Sequence, residues 1–358
     1  MIKLYFFYIA KEYSKNFIMI LMGITLAISL IDYLQDAHKM VDASNQKILY
    51  LFYTWEFRVA QFYPLAIVFA ATVTYMSLAK TNALVSLISF GYSKRVLFIP
   101  FVIPAFISYL ILIFLQTGEF SYAKERAHLS LNSSENIHIV DDLFFKYNDS
   151  FVYVKELNPI EKTIKGVTVF KLSDGQVKSS VTLDKAKFDG EFWVADSAVI
   201  TSKEYSNDGI MVAFSKKQTG EYKLLKGYKP KVIELIYEGK SLSLIDAINT
   251  YKLLQEQGLD SDKIKATFYY TVILPLFAFA MMVFIFFKTP YHMRYMNQQL
   301  VWALSLGGAL VIWGLLYILY SLSLSGAILS EIGIILPVGV FLLFALYIYL
   351  QSSISNTG

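Results

Sequence analysis

The chain has 358 residues, of which 56% are hydrophobic and 16% aromatic, while only 17% are charged. Soluble domains are about a quarter charged, so this composition, joined to long apolar runs, excludes an ordinary cytosolic enzyme and indicates a polytopic membrane protein. There is no Cys, which excludes disulfides, a thiolate nucleophile and Cys-ligated zinc or iron–sulfur clusters, and the net charge of +4 conceals an uneven distribution of sign.

An uncharged stretch of about 20 residues can cross the hydrocarbon core as a helix, because helical backbone satisfies its own hydrogen bonds there. Taken in chain order, the first such stretch runs from Phe17 to Ile31 and extends toward Leu4 and Leu34. The next two are Val59 to Ala79 and Val96 to Gly118. Between them, residues 80–95 show a short helical pattern, with Leu84, Leu87 and Ile88 on one face, Thr81 or Asn82 as cap and Gly91 as stop. Such a segment either turns the chain around or forms a coupling helix for a cytoplasmic ATPase. Three further spans follow: Ala266 to Phe287, one from Tyr295 that exits at the polar turn Ser321 to Gly326, and one from Ile332 to Leu350.

Residues 119–265 hold 21 of the 32 basic and 22 of the 28 acidic residues, so this insertion is a solvated domain. Its pattern is β. Phe151 to Val154, Val167 to Leu172, Val177 to Leu183, Glu191 to Val194 and Ile210 to Phe214 are short runs of branched and aromatic residues, and Asp-Gly pairs at 174–175, 189–190 and 208–209 favour tight hairpins between them. Successive hairpins predict a meander closing into a sandwich or jelly roll. Ser243 to Gln257 then reads as an amphipathic helix, with Leu244, Ile245, Ile248 and Tyr251 on one face, Asp246 as capping-box partner of Ser243 and Gly258 as stop.

The short segments flanking the spans fix an expected orientation, since Lys and Arg resist translocation. One set carries Lys3, Lys11, Lys15, Lys80, Lys94, Arg95, Lys288 and Arg294; the alternate set carries Lys39, Lys47 and Arg58 among five acids. Both termini are therefore expected in the cytoplasm and residues 119–265 outside. The basic N-terminal flank without a small-x-small site suits a retained anchor rather than a cleaved signal.

Several chemistries lack their minimum parts. There is no G-x-x-x-x-G-K-[ST] loop for nucleotide phosphates, none of His38, His128, His138 and His292 is spaced as in H-E-x-x-H, and no G-x-S-x-G occurs. Asp141-Asp142 reads as a solvated turn before a strand. Ionisable residues near span ends are Asp32, Glu56 and Arg58, too few for an ion-driven carrier. A non-catalytic membrane subunit is expected, with no metal and no bound cofactor of its own.

The order of parts and several strings resemble the LptF/LptG family, membrane permeases of the bacterial lipopolysaccharide exporter. Ala83-Leu84 through Ser89-Phe90-Gly91-Tyr92-Ser93 is similar to the family's coupling segment. Residues 150–154, 165–172 and 186–193 resemble its strand signatures, and Leu242-Ser-Leu, residues 251–258 and Pro275 complete the set. The length, Leu242-Ser-Leu and the 326–337 region look more like the G than the F paralogue. The chain departs from the pattern twice: Ala83 stands where the family has an acid, and Asp32 where it has a basic residue at the end of span one.

The resemblance implies a six-helix membrane protein with an inserted all-β, jelly-roll-like periplasmic domain, placed in the inner membrane. The corresponding domains are residues 1–118, 119–240, a connecting helix at 241–265, and 266–358. It implies an ATP-driven role in which the glycolipid leaves the outer leaflet for a β-jelly-roll bridge, its acyl chains passing along the jelly-roll interior. The implied partners are an LptF-like paralogous permease, two copies of an LptB-like ATPase that alone uses ATP, an LptC-like single-span jelly-roll protein, an LptA-like bridge protein and lipopolysaccharide, with no nucleic acid. Ala83, Leu84, Leu87, Ile88 and Gly91 would couple to the ATPase. Lys39, Lys47, Arg58, Lys124 and Arg126 are the cations available for phosphorylated sugars. The rival readings are a mechanotransmission protein, which would have fewer spans and no lipid cavity, and a structural membrane protein without an ATPase.

Overall fold

The computed structural model describes residues 4–354 apart from 40–43, 132–139, 148–149, 159–160, 174–175, 206–210, 229, 231–232, 234–241, 257–260, 293 and 295–296. Two compact units emerge. Residues 1–131, 243–247 and 262–358 form a helical unit, and residues 132–242 and 248–261 a β unit.

Six helical segments of the first unit are long and apolar enough to cross a membrane. They begin with α1 (Leu4–Asp36) and α2 (Ser44–Lys80). After the short α3 (Ala83–Ser89) comes α4 (Lys94–Leu115), followed by the amphipathic α5 (Ala123–Leu131). At about 1.5 Å per residue α2 is far longer than the ~30 Å hydrocarbon core, so part of it stands clear of the apolar layer. Its N-terminal turns pack against α5, where Tyr50, Ala127 and Leu131 are buried with Tyr33 and Tyr53 against them. The middle of α2 is the most enclosed stretch of the unit, and its Ala66, Ala70, Ala71 and Ala79 let neighbouring helices approach closely.

The fourth span is broken by chemistry rather than by accident. Its two halves, α7 (Asp262–Val272) and α8 (Phe277–Lys288), meet at a 3-10 turn over Leu274–Leu276 that contains Pro275. Proline has no N–H to donate, and the lost ladder bonds must be replaced inside a membrane. The Tyr109 hydroxyl of α4 donates to the Val272 carbonyl at 2.8 Å and supplies one replacement. The same device recurs where Tyr75 donates to the Thr289 carbonyl at 2.9 Å. The fifth span joins α9 (Gln298–Trp302) through a π-turn at Ala303–Gly307 to α10 (Gly308–Leu324), and the sixth enters α11 (Leu336–Ile354) through a π-turn at Glu331–Ile335.

The β unit is one antiparallel sheet of β1 (Val140–Tyr147), β2 (Ser150–Asn158), β3 (Thr163–Ser173), β4 (Gln176–Phe188), β5 (Trp193–Ala195), β6 (Ala198–Tyr205), β7 (Met211–Thr219) and β8 (Tyr222–Leu224). The path runs β1-β2-β3-β4-β5-β8, and β4 also pairs β6, which pairs β7. Although β1 and β8 lie at opposite ends of that path, the Phe145 ring of β1 stacks on Tyr228, just beyond β8, at 5.7 Å. The sheet is therefore curled around its core. Trp193 and Tyr228 are both fully buried there, tied by a 2.6 Å bond from the indole N–H to the Tyr228 carbonyl.

The all-β insertion forms as expected, its strands joined in one curled antiparallel sheet. Leu143, Val152, Val154, Val167, Leu183 and Trp193 are buried in its interior. Several sequence expectations need correction. Strands β1, β6 and β8 add to those predicted. Asp141-Asp142 belongs to β1, where Asp142 adopts φ 54 and accepts a hydrogen bond from Tyr153, instead of forming a turn before a strand. The Asp189-Gly190 turn forms as expected: Asp189 accepts the N–H groups of Glu191 and Phe192, which hold its carboxyl below the usual range, and Gly190 has φ +115. The other two Asp-Gly pairs fall outside the described residues.

The helix predicted after the strands, α6 (Leu244–Glu256), is present, but its buried face is Leu244, Ala247, Thr250 and Leu254. Ile245 and Ile248 are exposed, because burial follows a spacing of three and four residues from Leu244. Its capping box is completed by a third residue. Ser243 Oγ accepts the Asp246 N–H, as predicted, while the Asp246 carboxylate takes the Ser243 and Tyr122 hydroxyls rather than the Ser243 N–H. Gly258, its expected stop, lies outside the described residues.

Candidate functional site

Two places in the helical unit collect the residues singled out by the sequence. The first is the end of the bundle that carries α5. Because a short connection joins α1 to α2, the two helices run antiparallel and residues on either side of it meet in pairs. Asn16 donates to Thr74 at 2.8 Å, Trp55 to Thr25 at 3.1 Å, and Tyr50 to Asp36 at 2.7 Å. In the same series Arg58 grips Asp32 with two bonds, Nε to Oδ2 at 2.6 Å and Nη2 to Oδ1 at 2.9 Å, while Nη1 reaches Gln61 at 2.6 Å. Two parallel bonds to a carboxylate are the strongest geometry a guanidinium makes.

Arg58 is thus engaged with a carboxylate, and Asp32, first read as a departure from the family pattern, is its partner. The α5 cations gather on the same face of α2. Lys124 lies over the Phe57 ring at 5.6 Å, and Arg58 lies 5.2 Å from that ring. Arg126 lies over Tyr53 at 5.7 Å and is ion-paired with Glu119. The structure therefore brings Arg58, Lys124 and Arg126 together around Phe57 and Tyr53. Lys47 is half-buried on the first turns of α2, and Lys39 ends the 3-10 turn Ala37–Lys39. Beside the cluster, burial and the bond to Asp246 push the Tyr122 hydroxyl up to about 12.

The second place is α3. Its end forms as predicted: Gly91 has φ +86, its N–H reaches the Ile88 carbonyl at 2.9 Å, and Tyr92 N–H reaches Leu87 at 3.2 Å, the double bond of a Schellman stop. Asn82 precedes the helix in a left-handed conformation and makes no side-chain cap, so the capping expectation is corrected. Leu84 is buried and Ala83, Leu87 and Ile88 pack against the bundle's own core. The outward face consists of Ser86, Ser89 and Phe90, the last 81% exposed. An exposed aromatic at the end of this turn was not singled out in the sequence; its position just before the helix-stopping glycine was the available signal.

Arg95 then secures the segment to the sixth span. Its Nη2 donates to the carbonyls of Tyr349 at 2.6 Å and Leu350 at 3.0 Å, and its guanidinium lies 4.6 Å from the Tyr349 ring. A cation is favoured at a helix C-terminus, where carbonyls lack intrahelical partners. No cluster of His, Cys, Asp or Glu suited to a metal occurs among the described residues.

A bundle of six apolar helical segments with an inserted antiparallel β unit defines a multi-pass membrane protein with a substantial domain outside the apolar layer. The family model for the lipopolysaccharide export system permease LptF/LptG matches residues 7–351, nearly the whole chain, and the chain belongs to that family. A search of curated proteins finds no match.

Proposed function

We propose that this chain is one half of an ATP-driven lipopolysaccharide exporter in the inner membrane, on the G side of the family, with both termini cytoplasmic and the β unit periplasmic. It pairs with an LptF-like permease and takes force from two copies of an LptB-like ATPase that dock at α3; ATP is bound there and not by this chain. LptC-like and LptA-like proteins receive the lipid. The observation that carries this reading is the family match over residues 7–351.

Within this reading the geometry supports the following roles. Leu84, Leu87 and Ile88, with Ala83, anchor α3 to the bundle, Gly91 ends it, and the exposed Phe90 meets the ATPase, while Arg95 links the movement to α11. Ala83 offers no carboxylate, so docking here relies on apolar and hydroxyl contacts. The Arg58, Lys124 and Arg126 cluster faces the phosphorylated part of the lipid, with Arg58 held by Asp32 as a positioning pair. Lys39 and Lys47 extend the same cationic end. Because each buried methylene contributes about 0.8 kcal/mol, withdrawing several acyl chains from a bilayer requires a motor.

The test is affinity purification of the chain in mild detergent, with mass spectrometry of what accompanies it. Recovery of a paralogous permease, a nucleotide-binding subunit and a phosphorylated glycolipid is expected. Recovery without any ATPase would favour a structural role and contradict the reading.

A further inference from the structure

A cavity of about 260 Å³ opens in the β unit and is lined by none of the residues of the two places described above. Its lining includes Tyr147 of β1, Lys171 of β3, Phe192, Tyr222 and Lys223 of β8, and Lys226. Strands β3 and β8 are not neighbours in the sheet, so only the curl of the sheet brings these residues together.

Local irregularities converge on the cavity. The β3–β4 register shifts between Lys171 and Leu172, a bulge, which re-aims side chains and favours functional edges. Leu225 holds φ 53, a left-handed conformation that costs a branched residue free energy, and Gly227 follows with φ +78. That turn brings the Lys226 N–H to the Tyr147 hydroxyl oxygen at 3.0 Å, so the hydroxyl accepts there and retains its own proton for donation.

The charges are matched to an anion. Among the described residues Lys171 has no ion-pair partner, while Lys226 pairs with Glu191 at 3.2 Å and Lys223 with Glu221 at 3.5 Å. Both pairs are exposed on each side, and exposed pairs contribute little, so a phosphate can displace either carboxylate. The Lys226 ammonium also lies 5.5 Å from the Phe192 ring, and flat aromatic faces beside cations suit a ring that is apolar on one face and phosphorylated at its edge. The volume is below the range of about 300–1,000 Å³ that encloses drug-sized ligands, which fits one sugar ring with its phosphate and excludes a whole lipid.

The geometry points to a phosphorylated-saccharide site at Tyr147, Lys171, Phe192, Tyr222, Lys223 and Lys226. The saccharide class rests on the export reading above; the anion preference rests on the cavity alone.

The test is calorimetric titration of the full-length protein in detergent with N-acetylglucosamine phosphate, N-acetylglucosamine and inorganic phosphate. The phosphorylated sugar is expected to bind most tightly and to weaken with added salt. Lys171→Gln should weaken it about tenfold, the loss of one charge-assisted contact, while Lys217→Gln on the exposed face of β7 should leave it unchanged. Equal binding of the neutral sugar, equal binding of inorganic phosphate, or an unaltered Lys171→Gln variant would each overturn the site. If glycolipid export by the assembled complex persists in such a case, the site alone fails; if export is absent while the phosphorylated sugar binds, the export reading alone fails.

Discussion

In the helical unit, α2 and α8 bury their side chains among neighbours, whereas α1, α10 and α11 leave large apolar residues bare, with Val311 62% and Leu343 68% exposed. The β unit differs: most of its strand apolar residues are buried in one interior, Phe144, Val199 and Phe214 being exposed, and the unit is rich in lysine. A helical face of this kind is at home only in lipid or against another apolar helix, while the β unit is built for water. The same apolar residue type thus has opposite consequences in the two units.

The sharpest way to break the comparison is to truncate each kind of residue. Trp193→Ala in the β core should cost about 3–5 kcal/mol, read as loss of the protease-resistant β fragment on denaturant titration. Retention of that fragment at unchanged denaturant would mean the interior is not packed as described. Next in size, Gly333→Ala places a methyl against Ser323 Oγ, Ile328 and the Leu319 carbonyl at the entry to α11. Overpacking of this kind costs about 1–3 kcal/mol and should lower the melting temperature in detergent, although Gly333 lies in the helical unit.

The Asp32–Arg58 pair sharpens the comparison at the α5 end. Arg58→Gln leaves Asp32 without its bidentate partner and should cost about 1–3 kcal/mol in detergent melting. The double exchange Asp32→Arg with Arg58→Asp should recover part of that loss, and no recovery would show the pair is incidental. A smaller effect is expected from Tyr122. Its folded value is raised from 10.0 to about 12 by burial and by Asp246, so its contribution is complete below pH 10 and is lost as pH rises toward 12. The phenolate difference spectrum between the protein and Tyr122→Phe should therefore appear only near the upper end of that range. Smallest of all, Leu343→Ala on the exposed side of α11 should change stability by less than about 0.5 kcal/mol.

Much of this architecture could be read from residues alone. Uncharged stretches gave the spans because the bilayer imposes a length, and Asp189-Gly190 gave a hairpin because positive φ is needed there. What escaped was nonlocal. The Asp32–Arg58 pair depends on two helices meeting antiparallel across the 37–43 connection, and each residue alone looked like a stray charge near a span end. Likewise β6 and β8 complete a sheet through pairings with β4 and β5, and their own strings carry little alternation. In α3 the apolar spacing was legible, yet it described how the segment is anchored; the outward residue, Phe90, is set by tertiary packing.

The central claim is that force applied at α3 moves lipid through the helical unit. The most direct measurement is ATP-dependent release of lipopolysaccharide from proteoliposomes holding the chain with the paralogous permease and ATPase proposed for it, comparing the native sequence with Phe90→Ser. The account predicts release that requires ATP and falls at least about tenfold in the variant while the subunits remain assembled, equivalent to about 1.4 kcal/mol of lost coupling. Release that proceeds without ATP, or that is untouched by Phe90→Ser, would contradict it.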